Sequence, residues 1–361
     1  MLESRPPMPD ARKTVVKFNF WQDPAMAERF ALEDDIDFLT CDVAGAAEES
    51  WAKLAGAHVY HISSTKDELP RPWFAEAPLL ERCPRLLCIS ATGAGYDTVD
   101  VAACTAAGVL VVNQSGANAA AVAEHTLGMM LDIGKKLSLS DRLLRRERGF
   151  AREDLMGREI GGKVLGLIGL GHVGRRVAAL AKAFGMTVLA HDPYLDDAEI
   201  ARRDARAVSL EELLETADFV SMHCPRDQRT LRMMNAETFA RMKRGAVFLN
   251  TARGGIHDEA ALQEALSNGQ LAGAGLDVWD IEPPPLDHPL LRQENVVATY
   301  HTAGVTVEAR RCMASFAAEQ IITVLQGGMP PRLINPEAWP AYRQRFQAVM
   351  GRPVAAEPLP A

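Results

Sequence analysis

Short apolar runs alternate along most of the chain with stretches of helical spacing, the pattern of βαβ units. The early region carries TVVKFNF (14–20), DFLTC (37–41), AHVYHI (57–62), RLLCIS (85–90) and VLVVN (109–113). Helical stretches separate these runs, which predicts one parallel α/β layer ending near residue 113. A long helical pattern follows, from about Ala119 to Arg148, with Asn118 at its cap position and Val122, Leu127, Met130 and Leu131 at helical spacing. It reads as the bridge into a second domain.

There the alternation is cleaner. KVLGLI (163–168) is a fully apolar strand, and the helix from His172 is expected to end near Gly185, a C-cap residue. TVLAH (187–191) is the next strand. Ser209 and Glu212 then form a capping box ahead of LEELLETA, and DFVSMH (218–223) follows. Asn235 opens another helix, before AVFLNT (246–251), a helix through Leu266, GAGLDV (273–278) and VVATY (296–300). Six strands with crossover helices make the content of a doubly wound sheet. A helix from about Val307 to Leu325 leads back toward the first domain, and the Pro/Ala-rich tail GRPVAAEPLPA is expected to be poorly ordered.

Length and composition fit this picture. A chain of 361 residues is too long for one ordinary core, and 48% hydrophobic with 24% charged residues is a globular balance. With 39 Lys and Arg against 47 Asp and Glu, the net charge of −8 lacks the basic footprint of a non-specific nucleic-acid binder. The first residues offer no apolar signal core, and no apolar run is long enough to span a bilayer, so a cytoplasmic protein is expected. The six cysteines form no C-x-x-C pair and lack zinc-type spacing. They read as reduced, mostly buried small hydrophobes, with no metal site.

GLGHVG (169–174) places Gly169, Gly171 and Gly174 in the G-x-G-x-x-G spacing, after a buried strand and at the start of a helix. The three glycines serve a tight turn, close approach to a pyrophosphate, and helix–sheet contact. The helix N-terminus adds free N–H groups and a positive dipole end. Asp192 follows Gly174 by 18 residues and ends the second strand. A carboxylate there accepts from both ribose hydroxyls of NAD and repels a 2′-phosphate, and no Arg lies between 193 and 201 to neutralise one. The cofactor expected is NAD.

The landmarks ATGAGYDTVD (91–100), VNQSGANAAAVAEH (112–125), the glycine loop, HCP (223–225), NTARGG (250–255), GLDVWDIEPPP (275–285) and YHTAG (300–304) resemble, in order and spacing, the D-isomer-specific 2-hydroxyacid dehydrogenases. That family includes glyoxylate, hydroxypyruvate and phosphoglycerate dehydrogenases, and the resemblance runs from about residue 57 to 330. It implies two Rossmann-like domains with parallel sheets: a flavodoxin-like substrate domain (1–117 and 305–361) and an inserted NAD-binding domain (118–304), with a cleft between them. It also implies catalytic roles for Arg253, Glu282 and His301. Reducing a 2-oxo acid puts charge on the carbonyl oxygen, which must take a proton; a histidine supplies and recovers one near neutral pH. Glu282 would hold the imidazole and favour its protonated form, and Arg253 would grip the substrate carboxylate with its planar fork. By the same resemblance His172, Val173, Cys224, Thr251, Ala252, Asp277, His301 and Gly304 line the cofactor, with Asp277 on the nicotinamide amide. Cys224 is expected to pack there rather than act as a redox thiol. The backbone amides of Gly93, Ala94 and Gly95 would face the substrate carboxylate. In the family the region 119–148 carries an arm that embraces a second subunit, so a homodimer is expected.

The resemblance thins in three places. HISSTK (61–66) puts Ile62 where phosphoglycerate dehydrogenases carry a phosphate-binding arginine, which disfavours a phosphorylated substrate, although Lys66 stands nearby. No stretch the size of their C-terminal regulatory domain follows the helices, and the first 50 residues carry no landmark of the resemblance. Two alternatives stay open: a formate- or phosphite-type dehydrogenase of the same architecture, and a NAD-sensing corepressor that acts by binding partners.

Overall fold

A computed structural model describes residues 12–146 and 148–355, which divide into two compact units, Met1–Asn118 with Val307–Ala361, and Ala119–Thr306. In the first unit, strands β1 (Lys13–Phe18), β2 (Ile36–Cys41), β3 (Val59–Ile62), β4 (Cys88–Ala91) and β5 (Leu110–Val112) alternate with helices α1 (Ala25–Phe30), α2 (Ala47–Ala55), α3 (Ala77–Arg82) and α4 (Val101–Ala106). The strands are all parallel, in the order β2-β1-β3-β4-β5. This is the 2-1-3-4-5 order of flavodoxin-like sheets. Alternate side chains fill two cores, one with Val16, Phe18, Tyr60 and Ile89, the other with Val15, Val59, Cys88 and Leu110.

The second unit opens on a helix that differs from its expected form. In place of one helix to Arg148 there are two, α5 (Ala119–Lys135) and α6 (Leu137–Arg146). The break falls at Lys136, in the left-handed region at φ 55°. Asp132 is the reason: its carboxylate accepts the Ser138 N–H at 2.7 Å and the Ser138 hydroxyl, capping a new helix start. The Gly134 carbonyl, instead of continuing the helix, accepts from Arg158 N–H at 2.6 Å.

Strands β6 (Val164–Ile168), β7 (Thr187–His191), β8 (Arg206–Ala207), β9 (Phe219–Met222), β10 (Ala246–Asn250), β11 (Leu271–Leu276) and β12 (Val296–Ala298) follow, with crossover helices α7 (Gly174–Ala183), α8 (Asp197–Arg202), α9 (Leu210–Thr216), α10 (Ala236–Arg241) and α11 (Glu259–Ser267). Their order, β12-β11-β10-β9-β6-β7-β8, is that of a doubly wound dinucleotide fold with its switch point between β6 and β9. Seven strands stand where six were expected. The extra one, β8, is two residues at the sheet edge and too short for any alternation to register. Local signals set several element ends. Asn235 caps α10 reciprocally with Thr238, and Ser209 accepts from Glu212 N–H at 3.1 Å. Gly185 at φ 74° ends α7 in a Schellman arrangement, with Met186 N–H on Ala181 C=O at 3.1 Å.

The chain returns to the first unit through α12 (Val307–Leu325), then an unanticipated α13 (Trp339–Met350). Pro340 suits the first turn of α13, and Trp339, Tyr342 and Phe346 bury one stripe against the core containing Val15. Part of the tail expected to lack order is held: Ala355 N–H donates to Gly327 C=O at 3.1 Å, while 356–361 lie outside the described residues. No helix among the described residues is long and apolar enough to cross a membrane.

Candidate active site

The glycine loop sits at the switch point of the second sheet. Gly169 has φ 94°, and a Cβ there would lie 2.7 Å from the His223 carbonyl group, so both the turn and the approach of the β9 end require glycine. A Cβ on Gly174 would fall 2.3 Å from Gly169 O, where α7 closes on the loop. At Gly171, by contrast, nothing lies within 4 Å. The three positions thus divide as turn, open space and close packing. His172 and Val173 lead into α7, with Val173 at its cap and His172 Nδ1 3.2 Å from Arg175.

Asp192 is tied to the same loop. One carboxylate oxygen accepts Leu170 N–H at 2.8 Å and the other accepts Tyr194 N–H at 3.0 Å, while Gly169 N–H donates to His191 C=O. Each oxygen keeps a further acceptor position for a ribose hydroxyl. An arginine just beyond residue 201 also reaches this loop: Arg203 donates to Leu170 C=O at 2.7 Å. It is paired with Glu199 at 2.6 Å, a carboxylate that Arg202 shares. Open space above Gly171, the α7 N-terminus and an oriented carboxylate together fit a dinucleotide of the NAD type.

The second cluster is an acid–base pair. His301 Nδ1 lies 2.8 Å from Glu282 Oε2, and the other oxygen of Glu282 accepts Trp279 N–H at 3.1 Å. Trp279 is buried and its indole N–H donates to Thr299 C=O at 3.0 Å. His301 itself stands at φ 46°, a conformation a non-glycine residue keeps only where its surroundings impose it. Those surroundings are Asp277. His301 N–H donates to its carbonyl at 2.7 Å, and its buried carboxylate collects the Thr299 hydroxyl (2.6 Å), Thr302 N–H (2.8 Å) and Ala303 N–H (3.0 Å). Gly304 follows directly. His125 on α5 reaches Thr299 Oγ1 at 3.1 Å. Neither Thr299 nor His125 stood out in the sequence, because Thr299 matters through its bond to Asp277 and His125 through its bond to Thr299. With Nδ1 committed to Glu282, His301 Nε2 has no partner among the described residues and stays part-exposed.

Arg253 comes from the turn after β10. Asn250, fully buried, accepts Ala252 N–H at 3.0 Å and donates to Arg253 C=O at 2.9 Å, closing Thr251, Ala252 and Arg253 into one tight unit. Thr251 Oγ1 is 3.0 Å from Thr126 Oγ1 on α5. The next residue, Gly254, abuts Trp279 so closely that a Cβ would sit 1.8 Å from its carbonyl oxygen. The Arg253 turn therefore rests against the segment whose N–H holds Glu282. Cys224 follows β9 half-buried, and burial pushes its thiol up to about 12, the state of a packing residue rather than a redox thiolate. Cys41, Cys83, Cys88 and Cys104 are buried and free.

In the first unit, the loop after β4 carries Gly93, Ala94 and Gly95. Gly93 N–H already donates to Ser64 Oγ at 2.7 Å, while Ala94 and Gly95 N–H have no acceptor among the described residues. Ile62 is fully buried in the core.

A doubly wound dinucleotide domain carrying a histidine–glutamate pair and an arginine turn defines a nicotinamide-dependent dehydrogenase fold. Residues 127–303 match the model of the D-isomer specific 2-hydroxyacid dehydrogenase NAD-binding domain. The chain is 37% identical over 275 residues to the glyoxylate reductase of Korarchaeum cryptofilum, spanning 75% of this chain and 83% of that protein. It is 39% identical over 252 residues to the D-3-phosphoglycerate dehydrogenase of Archaeoglobus fulgidus, covering 70% of this chain but only 48% of the relative. The chain thus spans about half the length of the phosphoglycerate dehydrogenases it matches. The structure of the Aquifex aeolicus D-lactate dehydrogenase complexed with NAD and lactic acid superposes with a TM-score of 0.75 at 28% identity, over 89% of this chain and 98% of that one. The chain belongs to the D-isomer-specific 2-hydroxyacid dehydrogenase family.

Proposed function

We propose that this protein interconverts a 2-oxo acid and a D-2-hydroxy acid with NAD. The observation that carries the reading is His301, whose Nδ1 is held by Glu282 at 2.8 Å while Nε2 is left open in a loop wrapped around Asp277. A histidine fixed at one nitrogen and open at the other is the arrangement of a general acid–base.

The dinucleotide would be held by Gly171 and the α7 N-terminus at its pyrophosphate and by Asp192 at its ribose, with Val173, Cys224, Thr251 and Ala252 beside it. Asp277 Oδ2, carrying one hydrogen bond, keeps an acceptor position for the nicotinamide amide. Bound NAD would supply or accept the hydride. The rest of the chemistry falls to the chain's own residues. Arg253 binds the substrate carboxylate and polarises the adjacent carbonyl. His301 Nε2 gives a proton to the carbonyl oxygen in reduction and takes it back in oxidation, while Glu282 keeps the ring in its working orientation and tautomer. The buried, neutral Ile62 favours a substrate without a phosphate.

A panel of glyoxylate, hydroxypyruvate, pyruvate and bulkier branched or aromatic 2-oxo acids with NADH, and of formate and phosphite with NAD, tests the reading. Turnover of a 2-oxo acid that is lost in His301→Ala, with NADH affinity kept, supports it. Oxidation of formate or phosphite instead would move the chain to the other branch of its architecture. NADH binding with no turnover of any member would make it a NAD-sensing binding protein.

A further inference from the structure

His257 lies four residues beyond Arg253, and no step above uses it. Its ring is fully buried and packs on Phe248, with centroids 5.5 Å apart. Nδ1 is 3.0 Å from Asn250 Nδ2. Nε2 is the buried side-chain atom left without a hydrogen-bond partner among the described residues.

Asn250 decides which nitrogen carries the proton. Its Oδ1 accepts Ala252 N–H, so Nδ2 is the donor end, and the two hydrogens on Nδ2 go to Arg253 C=O and to His257 Nδ1. Nδ1 therefore accepts, and the ring proton sits on Nε2, where nothing receives it. An orphaned buried donor is destabilising, and an apolar side chain at 257 would have avoided it. What the imidazole adds in return is an acceptor for the last free hydrogen of Asn250. Burial lowers the His257 pKa to about 4, which keeps that acceptor unprotonated at neutral pH.

We propose that His257 is a positioning residue for substrate binding. By accepting the second amide hydrogen of Asn250 it locks the Thr251–Arg253 turn and fixes the direction in which the Arg253 side chain leaves the backbone. The inference rests on the reading of Arg253 as the residue that binds the substrate carboxylate. Without the acceptor, Asn250 can rotate about its side-chain bonds and surrender the bonds to Ala252 and Arg253. A misplaced guanidinium then loses its bidentate grip.

The test uses the full chain, with glyoxylate reduction by NADH, oxamate binding to the NADH complex by calorimetry, and NADH binding by fluorescence. His257→Leu fills the buried position with an apolar side chain and removes the acceptor. The glyoxylate KM and oxamate Kd should rise about tenfold or more, and the NADH Kd should stay within about twofold. His257→Asn can place Oδ1 where Nδ1 was, and should bring both values back to within about threefold of the starting protein. If the leucine variant does not fold, His257→Ala removes the acceptor without added bulk and answers in its place. Unchanged glyoxylate and oxamate values in the leucine or alanine variant would overturn the proposal. So would an asparagine variant as impaired as the leucine one, since shape rather than the acceptor would then be at work. Arg253→Ala run alongside separates the two readings. If it weakens oxamate and His257→Leu does not, only the positioning role falls. If Arg253→Ala leaves oxamate binding intact, or if the unaltered protein reduces no 2-oxo acid of the panel and does not bind oxamate, the Arg253 reading falls and this one with it.

Discussion

Gly254→Ala is the smallest change that should dismantle the candidate active site. A Cβ at 254 would stand 1.8 Å from Trp279 O, 2.4 Å from Trp279 C and 3.1 Å from Asp280 N. All three are backbone atoms, so no side chain can swing aside. Ordinary carbon–oxygen contact needs about 3.2 Å or more, so the two segments must part by roughly 1.4 Å. One carries Arg253, and the other carries the N–H that holds Glu282 at 3.1 Å and the indole bonded to Thr299 at 3.0 Å. Displacement on that scale breaks the Glu282 contact or turns Arg253 away. Misplacement by about 1 Å costs on the order of a hundredfold in rate. The overpacking itself should cost about 1–3 kcal/mol, lowering Tm by roughly 2–4 °C for each kcal/mol in a domain of this size. The assay is kcat/KM for 2-oxo acid reduction together with thermal unfolding. Gly128→Ala is the control, because it lies within α5 with nothing within 4 Å of its Cβ, and there alanine should be neutral or slightly stabilising. A Gly254→Ala protein within threefold of wild-type activity would refute the claim that these two segments are held by backbone contact.

The cofactor site can be tested at two positions. Gly171→Ala should leave Tm unchanged, since its Cβ meets no protein atom, but should weaken NADH binding as read by fluorescence titration; equal affinity would mean that the open space is not where the pyrophosphate lies. Asp192→Ala should narrow the ratio of kcat/KM between NADH and NADPH, because the acid that repels a 2′-phosphate is gone; an unchanged ratio would return the preference to other residues. Stability should fall on acidification. Burial depresses His58 and His257 to about 4 and His61 to about 3, against roughly 6.5 in the unfolded chain. As pH drops from 6.5 toward 4, the unfolded state binds protons that the native state refuses. The slope can reach about 4 kcal/mol per pH unit if all three contribute. Urea midpoints at pH 7 and pH 5 measure it, and equal midpoints would contradict the burial of these rings. Light scattering tests pairing through α6, which has no buried residue and exposes Leu137 and Leu144; a monomer mass would remove the expected dimer.

Much of this protein is written in short stretches of sequence. The eleven apolar runs anticipated in the sequence coincide with strands β1–β7 and β9–β12, because strand burial follows from residues adjacent in the chain. Asn235, Ser209 and Gly185 end or begin helices as expected, since a cap acts within four residues of itself. The glycine spacing likewise carried its meaning locally, as turn, open space and close packing lie within six residues. Arg253, Glu282 and His301 were singled out as candidates through motif order, which marks residue types but not their contacts.

The contacts depend on segments far apart in the chain, and these only the tertiary structure could decide. Asp132 stops a helix because Ser138 is there to be capped and Arg158 comes to Gly134. The sequence offered Gly93 as a carboxylate donor, yet its N–H belongs to Ser64, brought in by the pairing of β3 with β4. Asp277 organises the His301 loop through Thr299, Thr302 and Ala303, and Gly254 is required only because the Trp279 carbonyl lies against it. His257 is an unremarkable histidine until Asn250 has spent its other hydrogen bonds on the Arg253 turn. Periodicity and capping are short-range and legible in one dimension. The lone pairs and hydrogens that aim a catalytic side chain are allotted among neighbours that only folding assembles.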